Sequence, residues 1–179
     1  MHGHGLAALF AELFSWLHRR APRVARREGV AHVLDYNPAL KIITRVFWLF
    51  PIGLGLAAIL SPPGADERWY PAYIGGGFFA LLIPLSLEIF QRRIELTDQA
   101  ISQFSPWSKP IKIAWKDVRD VAWKWASNEV VIQPKGGRTI RVNAWLSGME
   151  TFAQAMEKRL PDVQSMPRVV AALRAHMKI

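Results

Sequence analysis

Two long apolar segments, separated by a short connection, constrain this chain more than any other feature of its sequence. Residues 46–60 hold no charged side chain, and residues 70–90 hold only Glu88, close to the end of its segment. A helix needs about 20 mostly apolar residues to cross the hydrocarbon core of a bilayer. The sequence therefore predicts a hairpin of two transmembrane helices, at about residues 42–60 and 70–90. The alternative is a pair of core helices in a soluble protein, which usually have shorter apolar runs.

The positive charge lies on both sides of this apolar region. Residues 1–45 carry a net charge of +4, residues 46–90 a net charge of −2, and residues 91–179 a net charge of +7. Lys and Arg are enriched on the cytoplasmic side of membrane proteins, and here they flank both ends of the hairpin. We therefore expect a multi-pass membrane protein with both termini in the cytoplasm and the connection between the helices outside. A nucleic-acid partner is not expected, because such a partner gives no reason for the gap in positive charge and the chain mixes acidic with basic residues.

Each predicted span carries two small residues four positions apart. These pairs are Gly53 with Ala57 and Gly76 with Ala80. Small residues at this spacing let helix backbones approach closely in a lipid environment. They are therefore candidate helix-packing positions, either within the hairpin or against another membrane protein.

The first forty residues are expected to form a separate amphipathic and basic segment. Apolar side chains recur at three- and four-residue spacing over residues 6–17, and five arginines follow between residues 19 and 27. A secretory signal has its charges before the apolar stretch, so this order does not predict one. A helix in the plane of the membrane interface fits the pattern. Docking of the same helix on protein is the open alternative.

The remainder, residues 91–179, predicts short antiparallel strands followed by helices, and hence an α+β protein. Alternating patterns indicate a strand pair at residues 93–97 and 100–104, with a loop at 105–110. Four further strands are expected at residues 111–114, 118–125, 130–133 and 138–142. Ser147 is a candidate N-cap for a helix over residues 148–160, with Glu150 completing a capping box. A second short helix is expected at about residues 167–177.

A resemblance to a known family appears in this part of the chain. A transmembrane hairpin runs into Ile94–Thr97 (IELT), the segment Ile113–Val118 (IAWKDV) follows, and two strands then flank a turn at Gly136 and Gly137. This order resembles the bacterial pleckstrin-homology-like (PH-like) domain of small membrane proteins. The resemblance covers about residues 90–160. It departs at Gln99 and Ala100, where the family often has glycine.

The resemblance implies a seven-stranded, bent antiparallel β-barrel capped by a C-terminal helix. Since six strands are evident, a further one is sought in residues 104–107 or by splitting residues 118–125. The resemblance also implies a non-catalytic scaffold or regulatory module in the bacterial inner membrane.

No arrangement of residues points to catalysis. The chain has no cysteine, which excludes thiol catalysis and Cys-ligated zinc. His2 and His4 lie on a glycine-rich terminus without a third metal ligand, and Asp117 and Asp120 fit a turn and a solvated strand face better than acid–base chemistry. We therefore expect no enzyme activity, no cofactor, no metal and no small-molecule substrate.

Two binding functions remain. The first is a membrane-anchored adaptor that stabilises a membrane protein complex from the cytoplasmic face. The alternative is recognition of anionic lipid headgroups. The candidate contacts with a partner or with lipid are basic and aromatic residues of the C-terminal part: Arg92, Arg93, Trp107, Lys109, Lys112, Lys116 and Arg119.

Overall fold

The computed structural model of the chain describes residues 24–60 and 69–177. Within these ranges the chain divides into two compact units. A β-rich unit contains residues 24–37 and 92–177, and a helical unit contains residues 38–60 and 69–91. The expected interfacial helix at residues 6–17 and the two histidines at the N-terminus lie outside the described residues.

The β-rich unit has two antiparallel sheets, which confirms the predicted α+β class. The five-stranded sheet has the order β1-β2-β3-β4-β5, and the three-stranded sheet has the order β6-β7-β8. The strands are β1 Arg26–Glu28, β2 Ala31–Asp35, β3 Arg93–Leu96, β4 Ala100–Ser105, β5 Ser108–Ala114, β6 Val118–Lys124, β7 Glu129–Pro134 and β8 Ile140–Asn143.

The domain boundaries differ from those expected from sequence, because two strands come from the N-terminal segment. β2 pairs with β3 in a register that aligns Leu34 with Ile94, and both side chains are fully buried. The described part of the first forty residues is thus built into the β-rich unit rather than forming a separate segment. The helical unit is therefore an insertion between two neighbouring strands of one sheet.

Six strands follow residue 91, as the sequence pattern predicts, but the expected loop over residues 105–110 is much shorter. Pro106 and Trp107 form a two-residue turn, and Ser105 pairs with Ser108 across it. No strand lies at residues 104–107 beyond the end of β4, and β6 is not split. The additional strands are instead β1 and β2.

The two sheets do not close into the expected barrel, because no ladder joins the described strands of one sheet to those of the other. Side chains bridge them instead. On β8, the Arg141 N–H donates to Gln103 Oε1 at 2.9 Å, and the Arg141 carbonyl accepts from the Arg92 guanidinium at 2.9 Å. These two side chains thus supply hydrogen-bond partners to the backbone N–H and carbonyl of Arg141 at the edge of β8.

Two helices complete the β-rich unit: α4 Met149–Arg159 and α5 Met166–His176. The apolar stripe of α4, including Phe152 and Met156, is fully buried. The predicted Ser147 cap is wrong, because Gly148 occupies the N-cap position with a φ of +85°. No side chain accepts a capping hydrogen bond at this helix start. Ser147 is buried, and its N–H donates to the Asp35 carbonyl at 2.7 Å, so it ties β2 to the start of α4.

The helical unit contains α1 Pro38–Phe47, α2 Leu49–Leu60 and α3 Trp69–Gln91. The stretches Pro38–Leu60 and Ala72–Gln91 are long and apolar enough to cross a membrane, by length and composition. Residues earlier in the first stretch contact residues later in the second. Trp48 Nε1 donates to Ser86 Oγ at 2.8 Å, and the Arg45 guanidinium lies 5.3 Å from the Phe90 ring centre. The two stretches therefore pack as an antiparallel hairpin.

Candidate membrane and partner surfaces

The glycine that lies against the facing apolar helix is Gly75, rather than Gly53 or Gly76 of the expected small pairs. A Cβ atom added at Gly75 would lie 3.4 Å from Leu54 Cβ and 3.5 Å from the Pro51 carbonyl oxygen. Gly75 and Pro51 are both buried. Close backbone contact at this point is available to glycine because it has no side chain to separate the helices.

The four small residues identified from sequence lie on the outside of the hairpin. Gly53, Ala57, Gly76 and Ala80 are all exposed, and a Cβ atom at Gly53 or Gly76 would meet no atom within 4 Å. Packing within the hairpin is therefore not their role in this structure. The helical unit also carries an open apolar groove of about 300 Å³, lined by Val46, Phe47, Phe50 and Phe78.

Arg92 and Arg93 are engaged within the β-rich unit. Arg92 donates to the Arg141 carbonyl, as described above. Arg93 forms an ion pair with Glu95 at 3.0 Å, and its guanidinium lies 4.6 Å from the ring centre of Phe104. These contacts give both arginines structural roles that the sequence pattern did not indicate.

The two lysines of β5 lie in different parts of the strand, Lys109 in its irregular part and Lys112 in its regular part. Lys112 aligns with Ser102 and, through it, with Glu95 on the outer face of the five-stranded sheet. Lys109 lies where the pairing of β5 with β4 is irregular, since Gln103 pairs with Ile111 but Ser105 pairs with Ser108. Both lysines are exposed. Since acidic and basic side chains alternate on the outer face, this face is not a continuous basic surface.

Lys116 and Arg119 lie close to a lysine that sequence reasoning missed. The Lys135 ammonium donates to the Lys116 carbonyl at 3.1 Å, and the Lys135 N–H donates to the Asp117 carbonyl at 2.8 Å. The Arg119 guanidinium donates to Gln133 Oε1 at 3.3 Å. We call Lys116, Arg119 and Lys135 the basic cluster. All three are exposed, and only the pairing of β6 with β7 brings Lys135 next to the other two.

Four tryptophans of the β-rich unit, including the candidate contact Trp107, have different environments. Trp115 is buried, and its Nε1 donates to the Thr97 carbonyl at 3.0 Å. Trp123 is half-buried and contacts Trp125 edge-on, with ring centres 5.7 Å apart. Trp107 and Trp125 are 58% and 70% exposed, so they are the two tryptophans of this unit that present most of their surface to the surroundings.

His176, at the end of α5, packs between the rings of Trp123 and Trp145. Its ring centre lies 5.6 Å from that of Trp123 and 6.1 Å from that of Trp145. Burial lowers the pKa of His176 from its ordinary value of 6.5, because the charged imidazolium loses contact with water. This histidine is therefore a structural element of the contact between α5 and the three-stranded sheet.

The acidic residues considered for catalysis have other roles. Asp120 Oδ1 accepts from the Val121 N–H at 2.9 Å and from the Ser165 hydroxyl, so it links β6 to the start of α5. Asp117 is exposed in the 3-10 turn Trp115–Asp117. Among residues 24–60 and 69–177, no three histidine or acidic side chains come together as a possible metal site.

Comparisons with protein-family models, with curated proteins and with solved structures find no match for this chain. The class of protein therefore rests on the fold and the surfaces described above.

Proposed function

We propose that this chain is a non-catalytic, membrane-anchored scaffold whose PH-like β unit stabilises a membrane protein complex from the cytoplasmic face of the bacterial inner membrane. The observation that carries the proposal is the outward position of Gly53, Ala57, Gly76 and Ala80. Small residues on a lipid-facing helix surface allow a helix of another protein to approach closely. A hairpin that needed only to anchor the chain has no requirement for them there.

The low burial of the helical unit supports membrane insertion. In the most apolar windows of the two stretches, only 11% and 17% of the residues are buried. Large side chains such as Leu60, Leu81 and Ile59 are between 71% and 80% exposed. A contiguous apolar surface of this kind is costly in water, whereas a bilayer covers it.

The insertion point of the hairpin supports a scaffold held at the membrane surface. The chain leaves β2 to enter α1 and returns from α3 to β3, and β2 and β3 are paired. An antiparallel hairpin has both ends on the same side of a bilayer. All strands of the β-rich unit then share one side of the membrane, where the unit can contact the cytoplasmic part of a partner.

Two adjacent glycines give a matched test of partner docking. Gly76→Leu adds bulk where no atom lies within 4 Å, whereas Gly75→Leu adds it against Leu54 and Pro51. A photo-crosslinking amino acid at Ala80 in native membranes is expected to capture one discrete protein. Gly76→Leu should abolish this crosslink without changing the thermal stability of the purified chain. Gly75→Leu should lower that stability.

The same crosslinking experiment at Ala80 has two outcomes that would contradict the scaffold function. Crosslinking at Ala80 to lipid alone, with no protein adduct in native membranes, would mean that the small residues face the bilayer. Retention of a protein crosslink in the Gly76→Leu variant would mean that the partner does not approach this surface.

A second candidate function, recognition of anionic lipid headgroups, is favoured by the basic cluster. Three cationic side chains in one exposed place attract anionic lipid by about 1 kcal/mol each near a membrane surface. The test is hydrogen exchange of the full chain in nanodiscs with and without anionic lipid. Slower exchange at residues 116–119 and 133–137 in anionic nanodiscs, lost in a Lys116→Glu, Arg119→Glu, Lys135→Glu variant, supports it. The matched control is Lys109→Glu, Lys112→Glu, which should retain the protection.

A further inference from the structure

The register of the five-stranded sheet identifies the end at which the chain enters and leaves the helical unit. Asp35 aligns with Arg93, and Arg93 aligns with Phe104, so the end of β2, the start of β3 and the end of β4 lie side by side. The chain continues from this end into α1 at Pro38, and it returns here from α3, which ends at Gln91.

Chain length limits how far this end of the sheet can lie from the apolar helices. Asp35 is three residues from the start of α1, and Arg93 is two residues from the end of α3. Three extended residues span at most about 11 Å. Links of only two or three residues therefore join this end of the sheet to α1 and α3.

Trp107 lies at the same end of the sheet. It occupies the two-residue turn directly after β4, and Ser105 and Ser108 pair on either side of the turn. The short hairpin restricts the position of the turn, yet 58% of the Trp107 surface is exposed. An exposed tryptophan combines a large apolar ring with a polar N–H, which suits the boundary between hydrocarbon and water.

The charge of the β4–β5 hairpin fits the same location. Residues 99–112 contain Lys109 and Lys112 and no acidic residue. A cationic hairpin is attracted to the negative surface of a cytoplasmic leaflet. Trp125, by contrast, is more exposed than Trp107 but belongs to the turn between β6 and β7 in the other sheet. Exposure alone therefore does not distinguish Trp107, whereas its position in the register does.

We propose that Trp107 is a membrane contact of this chain in addition to the two apolar helices. Its side chain inserts into the headgroup interface of the leaflet where these helices begin and end. This inference rests on the proposed membrane anchoring of the helical unit. It adds a specific role for the β4–β5 hairpin as a point of membrane contact outside the helical unit.

The absence of cysteine makes a clean test with single-cysteine variants of the full chain. Each variant carries an environment-sensitive fluorophore and is reconstituted into vesicles that contain anionic lipid. Ser108→Cys reports on the Trp107 turn, Ala126→Cys reports on the turn of Trp125, and Leu56→Cys reports on the helical unit. All three positions are on exposed parts of the chain. Lipids that carry a quencher near the headgroup or deep in the bilayer measure the depth of each label.

The proposal predicts a blue-shifted label at residue 108 that is quenched by the shallow quencher. Adding Trp107→Ala should remove both the shift and the quenching. The label at residue 126 should stay aqueous, with or without Trp125→Ala. The label at residue 56 should be quenched by the deep quencher in every variant.

Three results would overturn the inference, and they separate it from the proposed anchoring. A deep label at residue 56 with an aqueous label at residue 108 would exclude the Trp107 contact and leave the anchoring intact. A shielded label at residue 108 that no lipid quencher reaches would assign Trp107 to a protein contact. An aqueous label at residue 56 would contradict the anchoring itself, and the inference would fail with it.

Discussion

At the scale of single residues, Gly148 shows how one position without a side chain joins separate parts of the chain. Its φ of +85° is strained for any other residue, and a Cβ atom there would lie 2.6 Å from Ala25 Cα. Ala25 in turn donates its N–H to Thr151 Oγ1 at 3.0 Å. The start of α4 is thereby held against the residues that lead into β1.

Gly148→Ala is expected to destabilise the β-rich unit by about 2–4 kcal/mol, because backbone strain and the clash with Ala25 act together. Gly137→Ala is the control, since Gly137 also has a positive φ, of +93°, but no atom lies within 4 Å of its added Cβ. Its cost should be about 1–2 kcal/mol. Chemical unfolding in detergent micelles measures both. Equal costs would contradict the close packing of Ala25 on Gly148.

The lowered pKa of His176 predicts that the stability of the folded chain depends on pH below about 6.5, a range separate from that of the carboxylates. Burial lowers its pKa in the folded chain from 6.5, so the unfolded chain binds the proton more readily. The stability is fully present above pH 6.5 and is lost as the pH falls through the lowered pKa. The ion pair with Arg159 also lowers the pKa of Asp98, but from 3.8, so it acts at more acidic pH.

We therefore expect the thermal midpoint of the full chain in detergent to fall between pH 7.5 and pH 5. His176→Phe keeps an aromatic ring between Trp123 and Trp145, and it should reduce this fall. An unchanged pH profile in His176→Phe would show that another group is responsible.

At the scale of secondary-structure elements, the spacing of apolar residues predicted those strands and helices that bury one face against the core. The strands after residue 91 and the helices α4 and α5 appear close to the expected positions, because their alternating or three-to-four residue spacing reports which face is buried. β1 could not be found in this way, since all three of its residues are exposed. β2 has two consecutive buried residues, Val33 and Leu34, and it is defined as a strand by pairing with the distant β3.

The candidate surfaces also depend on contacts between residues that are distant in sequence, which local spacing does not report. The spacing of Gly76 and Ala80 marks a helix surface suited to close packing, but the rotation that places Gly75 inward and Gly76 outward depends on the partner helix. Likewise, Lys135 is far in sequence from Lys116 and Arg119. It joins them because Val118 aligns with Pro134 in the sheet.

The hydrogen bond from the Arg141 N–H on β8 to Gln103 on β4 can be tested by mutation. Gln103→Leu should remove the acceptor of the Arg141 N–H and cost about 1 kcal/mol. Hydrogen exchange of the Arg141 amide should become faster, while exchange on the paired edge facing β7 changes little. Gln133→Leu, which removes an acceptor for the exposed Arg119 side chain, is the control and should leave the exchange of Arg141 unchanged. Unaltered protection of Arg141 in Gln103→Leu would contradict the side-chain bridge.

At the scale of the whole molecule, the central feature is an apolar helical hairpin inserted between two paired strands. The sequence predicted the hairpin and the following β-rich part, and it placed a boundary between them and the N-terminal segment. The structure removes that boundary, because β1 and β2 belong to the same sheet as β3. Under the proposed function, parts of the chain before and after the hairpin must then lie on one side of the membrane.

The most direct test is the accessibility of single cysteines to a membrane-impermeant maleimide in bacterial spheroplasts. Val30, in the turn between β1 and β2, is 84% exposed, and Lys124 is exposed at the end of β6. Gly64 belongs to the connection between the apolar segments. We predict that Gly64→Cys is labelled in intact spheroplasts, whereas Val30→Cys and Lys124→Cys are labelled only after the membrane is permeabilised. Labelling of Val30→Cys and Lys124→Cys from opposite sides, or protection of Gly64→Cys until permeabilisation, would contradict it.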